Sequence, residues 1–343
     1  MRAAVYYNNH DVRIEERPVP QPGPGEILVK ILASGICGSD VMEWYRVKKA
    51  PIVLGHEVAG VVHAAGDGVA AFTPGDRVVV SHHVPCMTCA LCLEGKQTLC
   101  STLRSTSFDP GGFCEFVRVP RLQTEIGTFK IPDALSYEEG TFIEPVACVL
   151  RGMRVAGMRA GRSVLVLGSG LSGLIHVKAA KALGASFVAA TDLDDDRLAA
   201  ARRFGADATF SARDDVPVLL KKALGGKGAD IIFVTTAAIP AFTQAMRCIT
   251  RGSVVLIFAL PDPGAEVPFP IHDLWMEGVV VTSTYAGAPD DFRAAIEMIA
   301  GRRIAVADMI SHRLPLEGTP AGFALVAAAR GALKVVVFPH GTP

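Results

Sequence analysis

Val164-Leu-Val-Leu-Gly168-Ser-Gly170-Leu-Ser-Gly173 is an apolar run that enters the pattern G-x-G-x-x-G and continues into a helical periodicity. The glycine pattern alone occurs by chance, so its context decides. A strand candidate precedes it, a helix follows, a second strand candidate spans 187–191, and Asp192 stands at the end of that strand. In such a setting Gly168 permits a tight turn, Gly170 lets the backbone approach a pyrophosphate, and Gly173 lets the helix pack on the sheet. The first-turn residues Leu171, Ser172 and Gly173 then offer free N–H groups and the positive end of a helix dipole to the phosphates. Asp192 is placed to accept hydrogen bonds from the adenine-side ribose. Asp194, Asp195 and Asp196 follow, an acidic run that would repel a 2′-phosphate, so NAD is expected in preference to NADP. Arg197 is expected alongside the adenosine.

Outward from this loop the alternation continues. Strand candidates at 164–167, 187–191, 231–234 and 254–259 alternate with helical patterns at 171–183, 195–204, 215–224 and 240–247. Gly184, Gly205, Gly225 and Gly252 stand where glycine C-caps would close helices. Strand–helix alternation predicts βαβ units and a parallel sheet covered on both faces. Residues 1 to about 135 have a different character. Short β-branched runs (Glu26–Ala33, Val58–Val62, Arg77–Val80) are separated by turn sequences such as Pro22-Gly-Pro-Gly25 and Pro74-Gly-Asp76, which predicts a mostly β module. Ser136-Tyr-Glu-Glu139 is a capping box that opens a connecting helix, and Pro145 places Glu144 at a break or a new helix start. The last sixty residues hold no second dinucleotide signature and are read as completing the first domain.

At 343 residues the chain is long enough for about two domains. Half the residues are apolar, a fifth are charged, and the formal net charge is zero. That balance gives no global attraction to nucleic acid or to an anionic membrane. Neither a signal-peptide h-region nor an apolar run of roughly 20 residues is present, so a cytoplasmic location is the default expectation.

Four of the eight cysteines, Cys86, Cys89, Cys92 and Cys100, fall within fifteen residues as C-x₂-C-x₂-C-x₇-C. Thiolates so spaced make a closed tetrahedral site, the pattern of structural zinc. Iron–sulfur ligation also uses x₂ spacing, but the x₇ gap and the lack of a following proline argue against it.

Three further motifs carry chemistry-bearing groups: Gly35-Ile-Cys37-Gly38-Ser39-Asp40, Gly55-His56-Glu57 and Glu144-Pro145. Together with the cysteine cluster, Gly75-Asp-Arg-Val78 and the dinucleotide unit, they resemble the zinc-containing medium-chain dehydrogenase/reductase family, in its sorbitol, threonine and butanediol dehydrogenase branch. The resemblance spans nearly the whole chain. It implies an α/β protein: a GroES-like mostly β catalytic domain over 1–150, with a structural zinc lobe at about 83–103; a Rossmann doubly wound parallel-sheet domain over 151–283; and a return over 284–343.

The same resemblance implies two zinc ions per chain. Cys37, His56 and Glu57 would hold the catalytic one, with Glu144 bound directly or through water and one position open for substrate. Zinc there acts as a Lewis acid on an alcohol. Ser39 matches the hydroxyl that takes the alcohol proton, and Asp40 the acid that orients His56. Where many relatives place a proton-relaying histidine three residues after the serine, this chain has Met42. His83, three before the first cluster cysteine, is the candidate to act instead. Tyr285 is present where the polyol branch often has an Arg-Tyr pair, with Thr284 in the arginine's place; Trp44 and Tyr285 are the substrate-contact candidates.

The expected activity is NAD-linked hydride transfer to and from a secondary alcohol, polyol or cyclitol. A threonine-type hydroxy amino acid dehydrogenase is the alternative, and a non-catalytic NAD- and zinc-binding protein a more distant one. A zinc-free reductase of this fold would lack both ligand sets. Gly278–Thr282 reads as an edge strand, and a homodimer or homotetramer is expected.

Overall fold

The computed structural model describes residues 1–342 and separates into two compact units. One comprises Met1–Ala147 and the C-terminal return from Ala286; the other is Cys148–Tyr285. The strands in chain order begin with β1 (Arg2–Asn8), β2 (Asp11–Glu16), β3 (Ile27–Ile36), β4 (Ile52–Val53), β5 (Glu57–Ala65), β6 (Arg77–Val80), β7 (Phe116–Val119) and β8 (Thr128–Lys130). The second unit contributes β9 (Ser163–Leu167), β10 (Phe187–Asp192), β11 (Ala208–Ser211), β12 (Ala229–Val234), β13 (Ile249–Ile257) and β14 (Val280–Ser283). The return supplies β15 (Ile310–Pro315) and β16 (Lys334–Phe338).

In the first unit the main sheet runs β15-β16-β3-β5-β6-β8, with β7 also paired to β3, and a small sheet runs β2-β1-β4. Long β3 is the hub: it pairs antiparallel with β16 through Val335–Ile36 and with β5 through Gly35–Glu57. Early and late sequence therefore meet in one sheet. Tyr6, Phe113 and Phe323, from early and late sequence, share the core, with ring centroids 5.6 to 5.8 Å apart.

The second unit is a six-stranded parallel sheet in the order β11-β10-β9-β12-β13-β14. Numbered from β9, that is 3-2-1-4-5-6, the doubly wound order whose ligand crevice opens where the winding reverses, between the first and fourth strands. The helices Leu171–Ala182, Asp195–Arg203, Val216–Ala223 and Ile239–Arg247 fall where the periodicity puts them. Gly184, Gly205 and Gly225 have positive φ just beyond the first three. Gly252 is the exception. It lies inside β13, with φ +74° and its N–H on the Glu277 carbonyl, while Cys248 closes the preceding helix. The strand thus begins five residues before the apolar run that marked it, because Ile249-Thr-Arg-Gly carries no alternation for a sequence reading to detect. Among the described residues no helix is long and apolar enough to cross a membrane.

Candidate dinucleotide and zinc sites

β9 ends at Leu167 and Gly168 turns the chain with φ +98°. The turn is held from just past β12, where Thr235 Oγ1 donates to the Gly168 carbonyl at 2.7 Å and lies 3.0 Å from that of Leu167. A Cβ on Gly173 would come within 1.9 Å of the Gly168 carbonyl oxygen, so no other residue lets the helix approach the strand this closely. At Gly170, by contrast, a Cβ would meet nothing within 4 Å. Packing does not demand glycine there; open space beside the backbone is what a pyrophosphate requires. Gly170 caps the helix without a side-chain hydrogen bond, so the first-turn N–H groups at Leu171, Ser172 and Gly173 have no side-chain acceptor at the cap.

Asp192, at the end of β10, accepts from Ser169 N at 2.7 Å and from Leu193 N and Asp194 N at 2.8 and 3.0 Å. A carboxylate has about four acceptor sites, so capacity remains for a ribose hydroxyl. Arg197 Nη1 is 3.8 Å from it. Asp194 caps the next helix through Asp196 N and Arg197 N, and Asp195 and Asp196 occupy its first turn.

The four cysteines converge without bonding to one another. Their Sγ separations are 3.6 Å (Cys89–Cys92 and Cys86–Cys100), 3.8 Å (Cys89–Cys100) and 4.0 Å (Cys86–Cys92). A disulfide needs about 2.05 Å, whereas four thiolates at Zn–S distances of about 2.3 Å in a tetrahedron stand about 3.8 Å apart. The donor set therefore fits zinc. Donors converge on Cys86, first the Thr88 hydroxyl, then the Thr88 and Cys89 backbone N–H groups, and push its thiol down to about 5.

The second donor set is built on the β3–β5 pair. Cys37 follows β3 and caps the turn Gly38–Val41, with Ser39 N donating to its Sγ at 3.4 Å. His56 immediately precedes β5 and Glu57 opens it. One ligand atom from each of Cys37, His56 and Glu57 lies within 4.8 Å of the other two. Glu144, in the first turn of the helix Ile143–Val155, is not among the converging atoms. The set fits a cation. Glu57 is buried with Oε1 lacking any hydrogen bond, a cost that coordination would remove.

Asp40 is fully buried; Oδ2 accepts from Cys37 N at 3.0 Å and Oδ1 stands 3.2 Å from His56 Nδ1. That second contact is electrostatic, not an aligned hydrogen bond. Burial opposes charge on His56, yet Asp40 and the Cys37 sulfur outweigh it and raise its proton affinity well above the ordinary value. The anionic field that draws a proton there also draws a metal, which must displace it.

Two residues of this site went unread in the sequence. Lys334, the first residue of β16, is wholly buried and its Nζ pairs with Glu57 Oε2. Gly35 makes the pair possible: a Cβ on it would lie 2.3 Å from Glu57 Oε2 and 2.5 Å from Lys334 Nζ. The available signals were a lone lysine opening the apolar strand Lys334-Val-Val-Val-Phe338, and a glycine inside β3. The other is Arg46, which donates from Nε to the Ser39 carbonyl at 2.9 Å and from Nη2 to Ser39 Oγ at 3.2 Å.

The remaining candidates are dispersed. His83 Nδ1 faces the Thr106 carbonyl at 3.0 Å, and burial lowers its pKa to about 4. Its ring lies 3.8 Å from that of His82, which in turn is 4.7 Å from His56. Trp44 is half-buried against Tyr45, and Tyr285 is exposed just past β14. Nearby, Phe108 is core and Asp109 pairs with Arg118 at 3.0 Å.

A dinucleotide crevice, a closed cysteine site and an open Cys–His–Glu site on one chain define a zinc-dependent dehydrogenase. Comparison with known proteins agrees. Residues 23–133 match the alcohol dehydrogenase GroES-like domain, and residues 173–301 the zinc-binding dehydrogenase family. Sorbitol dehydrogenase of Gallus gallus is 35% identical, over 92% of this chain and 90% of its own. A zinc-binding dehydrogenase of Sinorhizobium meliloti 1021, solved with NADP, superposes with a TM-score of 0.88 at 30% identity, covering 98% of this chain and 99% of that one. The 2R,3R-butanediol dehydrogenase of Bacillus subtilis gives 0.86 at 28% identity, covering 98% and 99%. The chain belongs to the zinc-containing medium-chain dehydrogenase/reductase family, in its sorbitol dehydrogenase-like branch. It is an oxidoreductase that binds zinc and NAD(P).

Proposed function

We propose that this protein oxidises a polyol or other secondary alcohol to the ketone, reversibly, with NAD as hydride acceptor. The observation that carries the reading is the Cys37–His56–Glu57 set, with one carboxylate oxygen buried and unsatisfied. Zinc held there would supply Lewis acidity towards an alcohol oxygen, and a nicotinamide held at the glycine loop would supply the hydride acceptor. Cys37, His56 and Glu57 would hold the catalytic ion, with Glu144 a further ligand directly or through water, and Cys86, Cys89, Cys92 and Cys100 would hold the structural one. Ser39 Oγ takes the alcohol proton. Asp40, beside His56 Nδ1, keeps that ring turned to present Nε2. His83, neutral at pH 7, is the onward acceptor, with Trp44 and Tyr285 as substrate contacts. Leu171, Ser172 and Gly173 bind the pyrophosphate and Asp192 the ribose, with Arg197 beside the adenosine. The acidic run behind Asp192 supports NAD over NADP, although one solved relative holds NADP.

Relatives named for sorbitol and butanediol favour a polyol over a hydroxy amino acid. The protein acts in the cytoplasm as a homodimer or homotetramer. β14 is a sheet edge flanked by exposed Ile271, Trp275, Met276 and Val280, and a second copy would cover it. Metal analysis with an NAD-reduction screen over alcohols, polyols and cyclitols tests the reading. Two zincs per chain are expected, falling to one in Cys37→Ala with loss of NAD reduction; one zinc in the parent protein defeats the two-site arrangement.

A further inference from the structure

We propose that Arg46 sets the substrate specificity of the alcohol site, selecting a polyhydroxylated acid of the aldonate class whose carboxylate lies close to the reacting carbinol. The proposal rests on the polyol reading above and narrows it.

Arg46 ends the short helix Glu43–Arg46 and folds back onto the turn that carries Ser39. Its Nε and Nη2 bond to the Ser39 carbonyl and hydroxyl at 2.9 and 3.2 Å, and Ser39 N bonds to Cys37 Sγ at 3.4 Å. A permanent cation therefore stands one hydrogen bond from the hydroxyl beside the metal-ligand thiolate. Its side chain is only 15% exposed, so water screens that charge far less than at the surface.

The charge is not matched by an ion pair of good geometry. Its nearest carboxylate oxygen, Asp40 Oδ1, is 3.7 Å away and already faces His56. Nη1 makes no hydrogen bond among the described residues, so one edge of a fork suited to carboxylates is left over. The surrounding groups reinforce this. Lys49 shares the Tyr45 ring with Arg46, the two cations lying 4.7 and 4.9 Å from its centroid. Glu43, the acid nearest in sequence, is turned to Asn9 N at 3.2 Å.

A guanidinium cannot take a proton, so Arg46 does not replace the missing histidine relay. Its bond to Ser39 Oγ fills one lone pair and leaves the other, with the O–H, for the proton transfer. Two successive hydrogen bonds place the guanidinium roughly 5 to 6 Å from the reacting oxygen. That is the reach of a carboxylate on a carbon adjacent to the carbinol, itself hydrogen-bonded to Nη1.

The test compares NAD reduction by a six-carbon alditol and by the aldonate of the same configuration. The expected result is kcat/KM at least tenfold higher for the acid in the wild-type enzyme. Arg46→Gln keeps an N–H for Ser39 but no charge; it should bring that ratio to about one, chiefly by raising KM for the acid, while Arg46→Lys retains part of the preference. Equal or better use of the alditol by the wild type overturns the proposal and leaves the polyol reading standing. An acid preference unchanged in Arg46→Gln, with two zincs still bound, overturns the assignment to Arg46. Oxidation of neither compound, nor of any alcohol, polyol or cyclitol in the screen, by zinc-replete enzyme overturns the polyol reading itself.

Discussion

Lys334 shows how much a single buried charge governs here. Among the described residues its only ionic partner is Glu57, and both side chains are excluded from solvent. Removing one member of a buried pair costs about 3 to 5 kcal/mol, because the survivor is left uncompensated. Lys334→Met should therefore destabilise the zinc-free protein by about that amount. The zinc-loaded protein should lose less, since the cation takes over part of the lysine's role towards Glu57. Urea unfolding with and without chelator reads the difference; an equal loss in both forms would mean that Lys334 is structural only. Cys37, His56 and Glu57 were legible because their short motifs, weak singly, together carry the family resemblance that implies the ligand set. The sequence did not yield Lys334, which lies 277 positions from Glu57, or Arg46, whose link to Ser39 exists only once the helix Glu43–Arg46 folds back. Local spacing carries ligands well and their distant charge partners poorly.

Elements built on a strong period were legible almost to the residue. The capping box at Ser136 and Glu139 forms as read, Ser136 Oγ accepting from Glu139 N at 3.1 Å. The Rossmann helices and strands followed from apolar periodicity and the glycine loop. Elements without a period were not read: β11 is short and half-exposed, and β13 begins in a polar stretch. The cysteine lobe is a third kind of element, specified by ligands in place of a core. Its apolar cluster is small, centred on Cys92, Cys100 and Leu103, while Leu93 and Leu99 stay exposed. Such a segment depends on its metal for order. Cys89→Ser should lower zinc from two to one per chain and open residues 86–103 to limited proteolysis, leaving the Cys37 site loaded. Resistance equal to the parent's would show that the lobe holds itself.

At the scale of the whole molecule, the parallel sheet ends at β14 with hydrogen-bonding groups and apolar side chains uncovered. Val280 is 54% exposed and Trp275 76%. A charge on an edge strand opposes pairing with another edge, so Val280→Lys should shift the particle from a multiple of the 36.2 kDa chain mass towards that mass. Light scattering after size-exclusion chromatography gives the answer; an unchanged assembly removes β14 from the interface. The division into a mostly β part and a βαβ part was legible from composition and periodicity. The return of the C-terminus to the first unit was only an expectation from the absence of a second dinucleotide motif. Its physical basis is the pairing of β16 with β3, a long-range contact that no local pattern announces.

The place of β16 also sets an order of events during synthesis. Cys37, His56 and Glu57 leave the ribosome before the lysine that neutralises Glu57, which follows Glu57 by 277 residues. Until then the nascent ligand cluster carries an unopposed anion beside a sheet with a missing strand. A cation captured during translation would meet Glu57 without competition, whereas one arriving after release must contend with Lys334. The time at which the ion is acquired, and not only its affinity, becomes a property written into the strand order.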